Sequence, residues 1–500
     1  MPGAVRCSSP RSSRHPTPAL GRSPSPTCGR PRPASPRRNA RAPITGSRTC
    51  PSPGRARSAA ACLPTGSPKE TPVSSASTEH TAAAPAADRE PVILWGRRTA
   101  FGRSGGALSL ITADRLLAPV LSAVVADLGL DPAHIDDVII GNATGGGGNL
   151  ARLALLEAGF PVSVPGLTVD RQCGSGLEAI VLACRLVAAG AGSLYLAGGV
   201  ESCSTAPLRA HRVSSAPGEP DFFDRVRFAP DSVGDPDMGV AAENVAAHFG
   251  IGRERQDAFA ARSHRLAVAA AGAGAFEAEI VGIAGIDGTG ARVTADEGPR
   301  PKLDAALLRR FPAAFRPGGT VTAGNSCADA DGAVVVLVTS RARAMDLLAS
   351  GSLQAGTGSP GFLTFVDAVP AGTDPNLLGA GGGEAGRSLL ARTGVPAEAL
   401  ARVEIVEAFA AQVLASLDLI DVPEDRANRQ GGALALGHPF GASGALIVLR
   451  LLAQSRADGV EGADSPKGAD APKGAHALAM VSIAGGLGLA ALFRWEGAPG

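Results

Sequence analysis

Asp170-Arg171-Gln172-Cys173-Gly174-Ser175-Gly176-Leu177 is the stretch on which the fold turns. A strand runs into small residues, and the apolar residues that follow keep helical spacing, so the segment reads as strand, tight turn and buried helix. Cys173 then lies near a helix N-terminus. Unpaired N–H groups there carry partial positive charge that favours a thiolate, and the neighbouring glycines leave room for a substrate carbonyl. A buried packing cysteine is the competing reading, and it is the one given to Cys184 and Cys203.

Working outward, the same alternation recurs on both sides. Pro91–Trp95 reads as a strand, Thr112–Leu128 as a helix, and Val138–Ile140 as a strand ending at Gly141-Asn142. After the helix that follows Cys173 comes the strand Ser193–Ala197, with Gly198-Gly199 expected to close it in a turn. From about Arg209 to Phe315 the pattern changes to polar loops, one helical stretch from Glu243 to Ala271 and a short strand Ala278–Val281, and this reads as an insertion. Strands are expected again at Gly332–Val338 and Val403–Val406, then a helix to about Leu419, a glycine loop, a helix from Ser443 and a final strand Ala477–Ile483. This rhythm predicts a layered α/β core built from two similar halves. The near-repeats Gly462–Gly468 and Gly468–Gly474 read as a solvated loop before the last strand.

Bulk properties narrow the function class. At 500 residues the chain exceeds a usual single domain, and its net charge of +1 with 19% charged residues gives no reason to expect a nucleic-acid or membrane partner. The eight cysteines show neither metal-ligand spacing nor a disulfide framework, which points to a soluble, reducing, cytoplasmic setting without a metal site. No uninterrupted apolar stretch stands out as a bilayer span. Residues 1–90 are rich in Pro, Ser, Ala and Arg, with no acidic residue before Glu70, and are expected to be a disordered extension. An Arg- and Ser-rich, acid-poor start also matches an organelle import signal, but its prolines break the amphipathic helix such a signal needs.

Further segments could carry chemistry. Gly431–Gly444 is a glycine loop that presents His438 just before a helix, and a Cys/His pair is the simplest way to activate a thiol at neutral pH. The loop lacks the lysine of a P-loop and the spacing of a dinucleotide fingerprint. Ser482–Gly488, Gly324–Gly332 and Val406–Gln412 each combine a strand end with small or polar residues.

In this order the segments resemble the thiolase family, from about Pro91 to Trp495; Arg98–Gly102, Gly198–Ser202 and Thr320–Asn325 add to the likeness. The resemblance implies a thiolase fold of two similar α/β/α halves with mixed five-stranded sheets, residues 91–346 and 347–500, and a loop domain at about 209–315. It implies an acyl-CoA C-acyltransferase that forms or cleaves 3-oxoacyl-CoA through an acyl-Cys173 intermediate. Cys173 matches the acyl acceptor and His438 the histidine that activates it, while the backbone N–H groups of Cys173 and Ala484 match an oxyanion hole. Arg300 matches an arginine near the adenine or phosphate end of coenzyme A. Ala323 and Cys327 match the pantetheine channel, Cys327 in place of a serine. CoA thioesters would be substrates, with no permanently bound cofactor, and the assembly would be a homodimer or homotetramer.

Two positions depart from the family pattern. Ser482 stands where the catalytic acid/base cysteine is expected, and Val406 where an asparagine positions a water. A hydroxyl is a far weaker acid than a thiol, and general acid/base transfer contributes roughly 10²–10⁴ in rate. Both departures fall on the carbon–carbon step, so altered or reduced condensation is expected. The alternatives are transfer of the acyl group to a non-carbon acceptor, as in a thioesterase, and a non-catalytic acyl-CoA or lipid-binding protein.

Overall fold

The computed structural model describes residues 87–211, 220–223, 225–285, 290–351, 361–458 and 474–497. The N-terminal extension through residue 86 and most of the 462–474 near-repeats lie outside the described residues.

The first half follows the expected alternation: β1 (Pro91–Thr99), α1 (Ala113–Asp127), β2 (Asp137–Gly141), α2 (Leu150–Glu157), β3 (Gly166–Val169), α3 (Ser175–Ala189) and β4 (Leu194–Ser202). Gly198 and Gly199 do not close β4; they pair with Val335 and Val334 of β5 (Ala330–Ser340), and the strand continues to Ser202. The glycines serve close approach instead, because a Cβ on Gly199 would lie 1.8 Å from the Gly441 carbonyl oxygen. Between β4 and β5, where the pattern predicts one helix, the chain forms α4 (Met238–His248) and α5 (Arg253–Gly272). The break falls at Gly250, whose φ of 65° takes the backbone out of the helical region.

The second half repeats the plan with α6 (Arg341–Ala349), β6 (Gly361–Gly372), α7 (Gly381–Thr393), β7 (Leu400–Ile405), α8 (Ala410–Leu419), α9 (Phe440–Asp458), β8 (His476–Ile483) and β9 (Leu487–Gly497). β8 is not the last strand. The chain turns through Gly485 and Gly486, both at positive φ, and β9 returns antiparallel along β8.

The strand order is β7-β8-β9-β6-β1-β5-β4-β2-β3. It contains the same order twice, since β3-β2-β4-β5-β1 corresponds to β7-β8-β9-β6 preceded by a single parallel bridge between Ala427 and Val403. Among the described residues, the first half therefore has the expected five main strands and the second has four plus that bridge. The duplication extends to irregularities: register slips between Ile93 and Trp95 against β5, and between Phe365 and Asp367 against β9.

Both faces of each half are covered, which is why the strands read as near-continuous apolar runs. Val334, Val336 and Val338 face an inner core shared with Leu177 and Ile180 of α3 and Ala445 and Val448 of α9. Ala333, Val335 and Leu337 face an outer core with α1, and Leu389, Val413 and Met480 belong to the outer core of the second half. Helices α3 and α9 thus form the middle layer. Gln172–Ala189 is long and apolar enough by composition to cross a membrane, but Glu178, Arg185 and the glycines interrupt it, as expected from the sequence, and it packs here as a core helix.

The backbones of α3 and α9 nearly touch. A Cβ on Gly176 would lie 2.5 Å from the Gly441 carbonyl oxygen, and one on Gly444 would lie 2.6 Å from the Leu177 nitrogen. Gly176→Val should therefore lower the urea-unfolding midpoint by the equivalent of about 1–3 kcal/mol through overpacking. An unchanged midpoint would show that the helices are free to separate.

Candidate active site

Cys173 sits in a single turn, Gln172–Gly174, between β3 and α3. Asp170 Oδ1 accepts from the Gln172 backbone nitrogen at 2.7 Å, and Gln172 is held at φ 48°, a left-handed conformation that costs a residue with a side chain roughly 1–2 kcal/mol. Ser175 Oγ accepts from Arg171 N at 2.8 Å and donates to Gln172 O at 2.6 Å, so the turn is pinned from both sides. The Cys173 thiol is pushed up to about 12, chiefly by burial; its own N–H and that of Ala484 pull the other way, while Glu201 and Asp329 add to the rise. Burial thus outweighs the helix N-terminus. Cys173 rests as a thiol, and a nucleophilic role for it would require a base.

His438 has the features of that base. Ser443 Oγ donates to the Pro439 carbonyl at 3.0 Å, so in its 2.6 Å contact with His438 Nδ1 it accepts. The proton is therefore on Nδ1. His438 Nε2 is buried and has no hydrogen-bond partner among the described residues, and burial lowers the imidazole to about 4, which keeps it neutral. Two buried carboxylates clamp the loop that carries it. Glu407 accepts from Leu434 N at 3.1 Å, Asn428 Nδ2 at 2.7 Å and Ser263 Oγ at 2.6 Å. Glu201 accepts from Gly441 N at 3.0 Å, from Asn142 Nδ2 at 2.8 Å and from the backbone of Ala143 and Thr144. Burial pushes both carboxyls up, and these hydrogen bonds oppose it.

Cys173, Ala484 and Phe440, two residues beyond His438, line one cavity of about 500 Å³. Its outer wall is largely apolar, from Leu208, Phe222, Phe223, Phe228 and Met238. Arg300, Ala323 and Cys327 meet around a second, smaller cavity of about 60 Å³, together with Arg103, His264 and Asp329. The structure brings these two groups to adjoining sides of the loop that bears His438.

Ser482 and Val406 are placed differently. Ser482 Oγ donates to Gly379 O at 2.7 Å and accepts from Gly382 N at 3.0 Å and Gln412 Nε2 at 3.2 Å. Its hydroxyl proton is committed to a carbonyl, and neither Cys173 nor His438 is among its partners. Val406 belongs to the inner core, beside Leu436 and Ser443, and offers no polar atom of its side chain to a water. Ser443, Glu201 and Glu407 lie inside motifs quoted above but carry no role in the sequence pattern. For Ser443 the usable signal is a hydroxyl in the first helical turn after a Gly-His-Pro step.

Fold and site together define the class, a thiolase-type acyltransferase. Sequence models described as "Thiolase, N-terminal domain" and "Thiolase, C-terminal domain" match residues 91–342 and 362–494. A Staphylococcus haemolyticus protein named "Putative acetyl-CoA C-acetyltransferase VraB" is 41% identical over 411 residues, covering 82% of this chain and 100% of that protein. Among solved structures, the Bacillus anthracis acetyl-CoA acetyltransferase is similar with a TM-score of 0.71 and 32% identity, covering 83% of this chain and 100% of its own. Human mitochondrial 3-ketoacyl-CoA thiolase in complex with CoA gives a TM-score of 0.70 and 31% identity, covering 82% and 99%. The chain belongs to the thiolase family.

The His438 environment has a pH signature. With a folded value of about 4 against an ordinary 6.5, the unfolded chain binds a proton between those limits that the folded chain does not, so stability falls as pH drops through that window. His264 and His476 shift the same way, and comparison with His438→Gln isolates one group. Between pH 7 and 5, wild type should lose about 1–2 kcal/mol more than His438→Gln in urea unfolding. Parallel pH profiles would place His438 outside a desolvated site.

Proposed function

We propose that the protein is an acyl-CoA C-acyltransferase that forms or cleaves 3-oxoacyl-CoA through an acyl-Cys173 intermediate, as a homo-oligomer built from halves 91–346 and 347–500 with residues 209–315 covering the mouth. Two observations carry this reading: a protonated Cys173 thiol with the Ala484 N–H acting on its sulfur, and a loop-clamped His438 whose bare Nε2 is buried. In the first half-reaction His438 Nε2 takes the thiol proton, sulfur attacks the thioester carbonyl, and the Cys173 and Ala484 N–H groups hold the developing oxyanion. CoA leaves with the proton returned by His438. Arg300, Ala323 and Cys327 are assigned to the CoA arm, and the apolar cavity by Phe222 and Phe228 to the acyl chain. Thioester substrates supply the whole chemistry.

A second reading, transfer of the acyl group to water or another non-carbon acceptor, is favoured by one observation: the Ser482 hydroxyl is spent on Gly379. The two readings separate by product. Intact-protein mass spectrometry after mixing with acetoacetyl-CoA should show an acetyl adduct that Cys173→Ala abolishes, with acetyl-CoA formed when CoA is added. An acetoacetyl adduct with free CoA and acetoacetate but no acetyl-CoA would move the second reading to first place; no adduct at all would leave only binding.

Ser482→Ala removes one donated and two accepted hydrogen bonds from a buried site and should cost about 1–3 kcal/mol in urea unfolding. Acetoacetyl-CoA cleavage should stay within about threefold of wild type. A loss of two orders of magnitude would return Ser482 to the chemistry.

A further inference from the structure

The carbon–carbon step needs a group that removes a proton from the α-carbon of the second thioester. The Ser482 proton is committed to Gly379, and the chain has no cysteine after Cys327. The carboxylates around the site are spoken for, with one exception. Glu201 and Glu407 are saturated by the loops they clamp. Asp331 accepts from Ser204 N at 2.9 Å and Ser204 Oγ at 2.6 Å, and Glu297 accepts from the Arg103 and Ala107 nitrogens. No donor among the described residues reaches the Asp329 carboxylate.

Asp329 is also placed for the task. It forms a parallel bridge with His438, closed by the 2.8 Å bond from His438 N to Ala328 O. Partners in such a bridge stand about 4.8 Å apart and project their side chains to one face, and an extended chain returns to that face every second residue. Asp329 is thereby set beside the backbone of His438, and it shares the lining of the smaller cavity with Cys327. Asp329 is only partly exposed and lines the smaller cavity with Cys327 and Ala323, the space assigned to the CoA arm. Its charge acts on the sulfurs of Cys173, Cys203 and Cys327, and burial with the neighbouring Asp331 holds its carboxyl above the usual carboxylate range, which makes it a better base than an ordinary aspartate.

We propose that Asp329 is the catalytic base of the carbon–carbon step, a role that rests on the acyl-Cys173 reading above. Its carboxylate takes the α-proton of acetyl-CoA, and the C–H electron pair becomes the enolate. The enolate carbon forms a bond to the acyl carbonyl carbon, the C–S bond to Cys173 breaks, and the sulfur recovers its pair and a proton passed on from the Asp329 carboxylic acid. Cleavage runs the same steps backward.

The test uses the full chain as wild type, Asp329→Asn and Asp329→Glu. Three readouts are followed: acetylation of Cys173 by acetyl-CoA, read as intact mass, deuterium incorporation from D₂O into the methyl group of acetyl-CoA, and acetoacetyl-CoA cleavage with CoA. Asp329→Asn should acylate within about threefold of wild type yet lose exchange and cleavage by roughly 10²–10⁴, with Asp329→Glu recovering at least about tenfold of that loss. The role is overturned if Asp329→Asn keeps exchange and cleavage within about threefold, or if acylation falls in step with them. A wild type that acylates but neither exchanges nor cleaves overturns the carbon–carbon reading and this role together. A wild type that forms no adduct overturns the proposed function itself.

Discussion

The site depends on one steric constraint, the backbone-to-backbone contact between α3 and α9. Helices separated by ordinary side chains pack about 8–10 Å apart. Here Gly176 and Gly444 remove the side chains at the crossing, and Gly199 and Gly441 do the same where α9 begins against β4. The start of each helix is the end beside the proposed catalytic residues: Cys173 precedes α3 and His438 precedes α9. Pulling the helices together therefore draws Cys173 and His438 toward one another, and the middle layer shared by the two halves is also what assembles the candidate site.

Position along the chain is then held by buried carboxylates. Glu201 at the end of β4 reaches across to Gly441 in the other half, and Glu407 just after β7 holds Ser263 of α5 and Leu434 before His438. A similar cross-tie runs through Arg98, which pairs with Glu279 at 2.6 Å and Asp296 at 2.6 Å, while Arg450 of α9 pairs with the same Glu279. Such pairs contribute little net stability, but removing one partner leaves a buried charge and costs about 3–5 kcal/mol. Their effect is specificity of arrangement. The insertion, both halves and the histidine loop can settle in only one register without orphaning a charge.

The electrostatics of the resting site follow from the same burial. Desolvation raises the Cys173 thiol and lowers the His438 imidazole, so the pair rests neutral rather than as thiolate and imidazolium. In the proposed reaction, charge then appears only as the thioester is attacked, at the point where the Cys173 and Ala484 N–H groups can meet it. Donors fixed in advance toward developing charge are worth most in a water-poor cavity. The strained Gln172 and the Ser443-set tautomer are the small local costs of that arrangement.

Much of this was legible in the chain. The period of the apolar residues marked α1, α3, α8 and α9 and the strands of the first half, and the Cys173 turn and Gly-His-Pro loop stood out because few other roles require glycines beside a cysteine or histidine. β6, α7 and β9 carried no comparable mark: β9 reads as a continuation of β8 until Gly485 and Gly486 reverse the chain, and α7 opens on three glycines. Ser482, Asp329 and Ser443 could not be sorted by type, since their roles rest on what each hydroxyl or carboxylate is bonded to across the fold. The sequence by itself determined the class of architecture and the two reactive residue types, because periodicity and turn chemistry are local. Only the tertiary structure decided which polar groups are spent on the scaffold and which stand free, because hydrogen-bond saturation and desolvation are set by neighbours tens or hundreds of residues away.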